Sequence, residues 1–136
     1  MTKQEIVAKV KSLRFPKDSY IVFGSAPLAV VGVREANDID LLVSEEVFNE
    51  LSKAGWKELE KSAKDIPLVH DIFEAHKNWD FSSYNPTLHE LLSRAIVIDE
   101  VPFASIEDVR KWKGASGRPK DLADIGLIDS YLASAP

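Results

Sequence analysis

Hydrophobic residues follow two different spacings along the chain. Apolar residues that recur every three or four positions predict helices, whereas short unbroken apolar runs predict buried strands. Thr2 and Glu5 have the spacing of a capping box, and Ser44 is a typical helix N-cap. In the amino-terminal half this pattern predicts a helix at 2–13, a strand at 20–24 (YIVFG), a short helix capped by Ser25, a strand at 38–43 (DIDLLV) and a helix from Ser44 to Gly55.

The second half begins with one more strand and then becomes helical. IPLVHDIFEAHKNW at 66–79 alternates well enough to predict a third strand, paired with WKELE at 56–60. A small turn or strand pair is expected around 96–103 (IVIDEVPF), and GASG separates the last two helices. The helices of this half are expected at 86–95, 105–113 and 119–132. This order predicts an α/β (α+β) fold: a small mixed sheet with helices packed on one side, and a helical carboxy-terminal portion.

Composition narrows the class of protein. The 136 residues suffice for one core, so we predict a single domain with its core at about 14–80 and the helical portion at about 85–133. There is no apolar run of about eighteen residues, and the charged start does not resemble a signal peptide, so we expect a cytoplasmic protein without membrane contact. The chain has no cysteine, which excludes disulfides, thiolate catalysis and cysteine-bound zinc.

Two carboxylates open the strand at 38–43. Side chains two residues apart on a strand point to one face, so Asp38 and Asp40 should lie about 6 to 7 Å apart. At an effective dielectric constant of about 20 they repel each other by about 2 to 3 kcal/mol, which favours a compensating cation. Magnesium suits this position, because it takes oxygen ligands and completes its shell with water and phosphate. For this DID segment alone, the alternative is a solvated polar face on an edge strand.

Gly24 and Ser25 stand at the end of the first predicted strand. A glycine lets the backbone approach a ligand closely, and the amides at a helix start bind anions. The segment therefore predicts a phosphate-binding turn, to which Ser25 adds a hydroxyl. A Gly-Ser pair by itself is a common turn, but its combination with a carboxylate pair on the next strand is far less common by chance.

The spacing of these residues resembles a known signature. Gly24-Ser25, twelve residues, and then Asp38-Ile39-Asp40-Leu41-Leu42-Val43 is similar to the motif of the DNA polymerase β-like nucleotidyltransferase superfamily, especially its small minimal members. Arg34 matches an arginine often found before the aspartates. The resemblance implies a metal-dependent enzyme that moves a nucleoside monophosphate from a nucleoside triphosphate such as ATP to an acceptor hydroxyl and releases pyrophosphate, with Mg²⁺ (or Mn²⁺) as cofactor.

The resemblance also implies a third carboxylate on a later strand, for which Asp71, Glu74 and Asp80 are the candidates. Phe73 and Ala75 are expected to face the core, which places Glu74 on the opposite face between apolar neighbours, as in the family. Glu74 is therefore the first choice for the third carboxylate and Asp80 the second, although the family usually has aspartate at this position. The residues implied to bind metal and act in catalysis are Asp38, Asp40 and Glu74.

The histidines of this segment suggest a zinc site as an alternative. His70, Glu74 and His76 share one strand parity, and histidine binds zinc well. On a single extended strand, however, His70 and His76 would be about 20 Å apart. We therefore predict no shared zinc ion.

The net charge of −5 argues against a surface that binds nucleic acid throughout, but residues 110–120 hold five cations and no anion. This stretch resembles the last motif of abortive-infection-type nucleotidyltransferases. Such cations would bind the triphosphate and neutralise its charge during transfer. The alternative is a solvated helix start. The positions that match the motif are Lys111, Arg118, Lys120 and Asp121, and the predicted substrate-binding residues are Gly24, Ser25, Arg34, Lys111, Arg118 and Lys120.

The sequence does not identify the acceptor molecule. Members of the superfamily modify transfer RNA, proteins or small molecules, and some belong to toxin-antitoxin pairs, so a cognate partner protein is also expected. The alternative to an enzyme is a catalytically idle module that binds nucleotide or a partner.

Overall fold

The structure, a computed structural model, describes residues 1–81 and 83–134. None of the helices in these ranges is long and apolar enough to cross a membrane. In chain order the elements are α1 (Lys3–Lys11), β1 (Tyr20–Phe23), α2 (Ala26–Val30), β2 (Ile39–Val43), α3 (Glu45–Lys53), β3 (Lys57–Glu58), β4 (Leu68–His70), β5 (Phe73–His76), α4 (Leu88–Ser93), β6 (Ile96–Ile98), β7 (Val101–Phe103), α5 (Ile106–Ser116) and α6 (Pro119–Ser134).

The strands form one mixed sheet in the order β3-β4-β5-β2-β1-β7-β6. The pairs β1–β7 and β2–β5 are parallel, and the other neighbours are antiparallel. The predicted α/β class with a mixed sheet and a helical carboxy-terminal portion is therefore confirmed.

Helices cover both faces of the sheet, which corrects the prediction that they pack on one side. Along β1, Val22 belongs to the core beneath α1 and α3, whereas Phe23 belongs to the core beneath α4, α5 and α6. All four residues of β1 are buried. Such a strand has no polar face, so its alternation cannot reveal how many layers cover it.

Local capping signals mark several helix boundaries. The Thr2 and Ser44 side chains accept hydrogen bonds from the backbone amides of Glu5 and Val47, as predicted. At the other end of the chain, α5 continues through most of the GASG segment and stops at Gly117, whose φ of 66° ends the helix. The last two helices are thus separated by two residues, Gly117 and Arg118, rather than by the whole segment.

The segment predicted as a third strand is a hairpin of β4 and β5. The chain reverses at Asp71, which has a φ of 53°, so His70 pairs with Phe73. Aspartate tolerates this left-handed conformation better than most residues. Pairing across this turn puts His70 and Phe73 on one face of the hairpin, so the side-chain alternation shifts by one residue there. The turn residues Asp71 and Ile72 include no glycine or proline that would mark the reversal in the sequence. The predicted pairing with 56–60 is confirmed, since β3 pairs with β4.

Candidate active site

A cleft of about 470 Å³ lies beside the ends of β2 and β5, on the face of the sheet covered by α5 and α6. Three of the residues that line it are the predicted carboxylates Asp38, Asp40 and Glu74, which we call the acidic cluster. Four others are Arg34, Lys113, Arg118 and Lys120, which we call the basic cluster. The sequence therefore brings opposite charges together in one cavity from segments far apart in the chain.

The sheet register brings the acidic cluster together. Parallel pairing of β2 with β5 puts Asp40 directly beside Glu74, and His76 follows on the same face of β5. Ligand atoms of Asp40, Glu74 and His76 all lie within 4.8 Å of one another, close enough to share one metal ion. Asp38 is exposed just before β2, and its charge acts on Asp40.

The two paired carboxyls differ in acidity. Burial, the neighbouring Glu74 and the charge of Asp38 raise the pKa of Asp40 to about 8. Burial also acts to raise the pKa of Glu74, but hydrogen bonds with Lys61 and Asp40 hold it below its usual value. The buried Oδ1 of Asp40 has no hydrogen-bond partner among the described residues. An orphaned carboxyl oxygen beside the Glu74 carboxylate fits a divalent cation, whose charge would favour the ionised form of Asp40.

Gly24 makes room for Asp40. Phe23 pairs with Asp40 in the sheet, and the next residue, Gly24, turns with a φ of 70°. A Cβ atom at this position would collide with the Asp40 carboxylate and lie 2.9 Å from its Cβ. Ser25 follows at the start of the five-residue helix α2 and lines the cleft, and its hydroxyl makes no capping hydrogen bond. The Gly-Ser pair thus borders the acidic cluster, as predicted.

A short segment between β3 and β4 crosses the acidic cluster. Its backbone turns back on itself between Ser62 and Asp65. Lys61 Nζ lies 2.5 Å from Glu74 Oε1, and Asp65 Oδ1 lies 3.5 Å from His76 Nδ1. Lys61 is therefore a protein cation placed where the carboxylates would hold a metal ion.

Replacing Lys61 should strengthen metal binding. In Lys61→Gln the ammonium no longer competes for Glu74, and because this pair is partly exposed we expect a gain in Mg²⁺ affinity of about 3- to 10-fold. Isothermal titration with MgCl₂ measures it. Lys64→Gln on the same exposed segment removes the same charge away from Glu74 and should change the affinity little. Weaker Mg²⁺ binding by Lys61→Gln would contradict the competition.

Buried aspartates hold the basic cluster in place. Asp124 Oδ2 lies 2.7 Å from Arg34 Nη1 and 2.8 Å from Lys113 Nζ. Asp121 Oδ2 lies 2.7 Å from Arg118 Nε. Both aspartates and Lys113 are almost fully buried. Three cations face two carboxylates here, and with the exposed Lys120 the basic cluster keeps a net positive charge.

Aromatic side chains pack behind the two clusters. Trp79 stacks on Phe23 with ring centroids 4.5 Å apart, and Trp112 packs edge-on against the same ring at 5.6 Å. Both indoles are nearly buried and line the cleft. They act as a rigid base for the basic cluster, since Lys113 also lies over the Trp112 ring.

Some predicted residues lie elsewhere. Lys111 is exposed on the outer side of α5 and is not among the residues that line the cleft, where Lys113 lies instead. Asp71 forms the exposed turn between β4 and β5, and Asp80 is exposed outside the cleft. Of the three candidates for the third carboxylate, the structure brings only Glu74 next to Asp40.

Sequence reasoning missed four residues of this region. The position of Lys113 on the buried side of α5 could have been predicted, because it is four residues after the buried Val109. His76 was not predicted as a metal ligand, because the segment was treated as one continuous strand. His70 lies elsewhere and stacks on Trp56, with ring centroids 5.4 Å apart. Lys61 and Asp65 lie in a connection whose path no local pattern predicts.

Comparisons with known proteins give no relative from which a role could be taken. No family model, no curated protein and no solved structure matches this chain.

Proposed function

We propose that this protein is a metal-dependent nucleotidyltransferase that moves a nucleoside monophosphate from a nucleoside triphosphate to an acceptor hydroxyl. The observation that carries the proposal is the meeting of the acidic and basic clusters in one cleft of about 470 Å³. A triphosphate with a divalent ion needs both: oxygen ligands for the ion and cations for the phosphates.

The acidic cluster would hold the metal ions and receive a proton. Bound there, divalent ions would polarise the α-phosphate and neutralise charge on the departing pyrophosphate. The acceptor oxygen forms a bond to the α-phosphorus while the bond from that phosphorus to the bridging oxygen breaks, and pyrophosphate leaves. Glu74, which lies beside Asp40 in the cleft, would accept the hydroxyl proton as general base.

The basic cluster would bind the triphosphate tail. Asp121 and Asp124 fix the positions of Arg34, Lys113 and Arg118 before any ligand arrives, so little ordering is needed on binding. Lys120 is exposed at the rim and can follow the phosphates. Ser25 adds a hydroxyl beside the acidic cluster.

A second candidate is a catalytically idle module that binds nucleotide or a partner protein, for example within a toxin-antitoxin pair. Lys61 favours it, because an ammonium group already pairs with Glu74. Such a module would bind triphosphate through the basic cluster without metal and would release no pyrophosphate.

Label transfer tests the proposal. Purified protein is incubated with α-labelled nucleoside triphosphates, Mg²⁺ and total cellular RNA, protein and small molecules, and pyrophosphate release is measured in parallel. We expect transfer by the wild type and a loss of at least about 100-fold in Asp38→Ala, since this variant removes from the cleft a carboxylate that the resemblance implies as a metal ligand. Asp80→Ala, which removes an exposed carboxylate outside the cleft, is the matched control and should be unaffected. Transfer that survives Asp38→Ala refutes the proposal.

A further inference from the structure

We propose that His76 completes a mixed nitrogen and oxygen metal site with Asp40 and Glu74, and that this site prefers a first-row transition ion such as Mn²⁺ to Mg²⁺. The inference deepens the proposed function, on which it rests for the role of the metal. The binding preference itself can be measured without any transfer reaction.

The histidine is placed as a third ligand. Glu74 and His76 are two residues apart on β5 and share one face, and Glu74 is paired with Asp40 on the adjacent strand. His76 Nε2 lies 3.8 Å from Glu74 Oε1, and one atom from each of the three residues falls within a span of 4.8 Å. A metal ion about 2.1 Å from each ligand atom requires these atoms to lie within about 4.2 Å of one another, so a small side-chain adjustment closes the 4.8 Å span around the ion.

Asp65 orients the histidine ring. Its Oδ1 lies 3.5 Å from His76 Nδ1, so one ring nitrogen faces this carboxylate while the other faces Glu74. Histidines that bind metals almost always donate the other ring N–H to a carboxylate, a backbone carbonyl or water, which fixes the ring and its tautomer. The edge of the His76 ring also packs against Trp79, with centroids 4.9 Å apart and planes at 80°. The ring is thus held from two sides.

Two further observations point to a cation at this position. The buried Oδ1 of Asp40 has no hydrogen-bond partner among the described residues. Lys61 Nζ lies 2.5 Å from Glu74 Oε1, which shows that the position accepts a positive group. A divalent ion that displaces Lys61 would also satisfy the orphaned oxygen.

The chemistry of the ligand set decides which ion binds. Mg²⁺ is strongly selective for oxygen ligands and retains its water, so an imidazole adds little to its binding. Transition ions accept imidazole together with carboxylate. The site therefore favours a transition ion such as Mn²⁺ over Mg²⁺. The all-carboxylate set implied by the resemblance has no nitrogen ligand to produce this preference.

The test measures the binding of Mn²⁺ and Mg²⁺ to the purified protein. Free Mn²⁺ is followed by electron paramagnetic resonance, and Mg²⁺ is added as competitor. We expect the wild type to bind Mn²⁺ at least about 10-fold more tightly than Mg²⁺. His76→Ala should lower the Mn²⁺ affinity about 10-fold or more and change the Mg²⁺ affinity less than about 3-fold. Asp65→Asn should lower the Mn²⁺ affinity by about 10-fold through the ring orientation.

His70→Ala is the matched control, because this histidine stacks on Trp56, the residue just before β3, and shares the face of Phe73 rather than that of Glu74. Should His76→Ala fail to fold, His76→Asp provides an oxygen ligand in its place and is expected to abolish the Mn²⁺ preference. Equal affinities of the wild type for the two ions, or a Mn²⁺ preference that survives in the histidine variant, overturns the inference. If the protein binds Mn²⁺ more tightly than Mg²⁺ but transfers no nucleotide, only the proposed function is refuted. If it transfers nucleotide with Mg²⁺ and binds both ions equally, only the metal assignment is refuted.

Discussion

Asp40→Asn should abolish nucleotidyl transfer and, at the same time, stabilise the metal-free protein. The transfer loss is expected to be about 1,000-fold or more, because the variant loses a negative ligand from the metal site. The gain in stability follows from burial: the wild-type carboxyl is forced next to Glu74 in a poorly solvated position. Asparagine has the same shape and no charge. Opposite effects on activity and stability are typical of a residue kept for function.

The stability gain should depend on pH. The unfolded chain releases the Asp40 proton at about pH 4, whereas the folded chain holds it until about pH 8. Between these values the native state binds the extra proton, so this group stabilises the fold fully below about pH 4 and loses that contribution progressively until about pH 8. Asparagine does not titrate. The variant should therefore gain about 1 to 3 kcal/mol over the wild type at pH 8 and little at pH 4.

Thermal unfolding in the presence of EDTA, followed by circular dichroism from pH 4 to pH 8.5, measures this difference. We expect Tm to rise by about 3 to 10 °C at the upper end of the range. Asp38→Asn is the matched control, since it removes the same charge from an exposed position in the same cleft. It should lose transfer but gain much less stability. A fall in the Tm of Asp40→Asn at pH 8, or full transfer activity, contradicts the assignment.

The elements of this fold could be predicted from the sequence where one local rule decides the outcome. Ser44 begins a helix because its hydroxyl caps an exposed amide, and the apolar run at Tyr20–Phe23 has to be buried. The hairpin at Asp71 could not be predicted in the same way. The turn Asp71-Ile72 contains neither glycine nor proline, and its reversal depends on the left-handed conformation of Asp71. The alternation shifts by one residue across the turn, but a one-residue shift in so short a segment does not separate a hairpin from an irregular strand.

The candidate site also contains some residues that local rules predict and others that depend on tertiary packing. Asp38 and Asp40 are two residues apart in sequence, so their presence in one cleft could be predicted locally, although Asp38 lies just before β2 rather than in it. The approach of Glu74 depends on β5 pairing with β2 in parallel and in one register. Positions of Lys61 and Lys113 depend on how a loop and a helix pack against the finished sheet, which is a long-range outcome that no short pattern contains.

Gly24→Ala should destabilise the protein and impair the site together. The φ of 70° costs an alanine about 1 to 2 kcal/mol. The new methyl group would also collide with the Asp40 carboxylate, whose displacement adds a further cost of about 1 to 2 kcal/mol. The total is about 2 to 4 kcal/mol of unfolding free energy. Because a shift of about 1 Å in a metal ligand is enough, transfer should fall by about 100-fold in the protein that remains folded.

Gly32→Ala separates the two contributions. Gly32 has a similar φ of 81°, but a Cβ there meets no described atom within 4 Å. It should therefore show the backbone cost alone, about 1 to 2 kcal/mol in urea unfolding, with normal transfer and normal Mg²⁺ binding. The excess cost in Gly24→Ala then measures the contact with Asp40. If the two alanine variants lose equal stability and both keep transfer, Gly24 serves the turn only and the space beside Asp40 is not required for function.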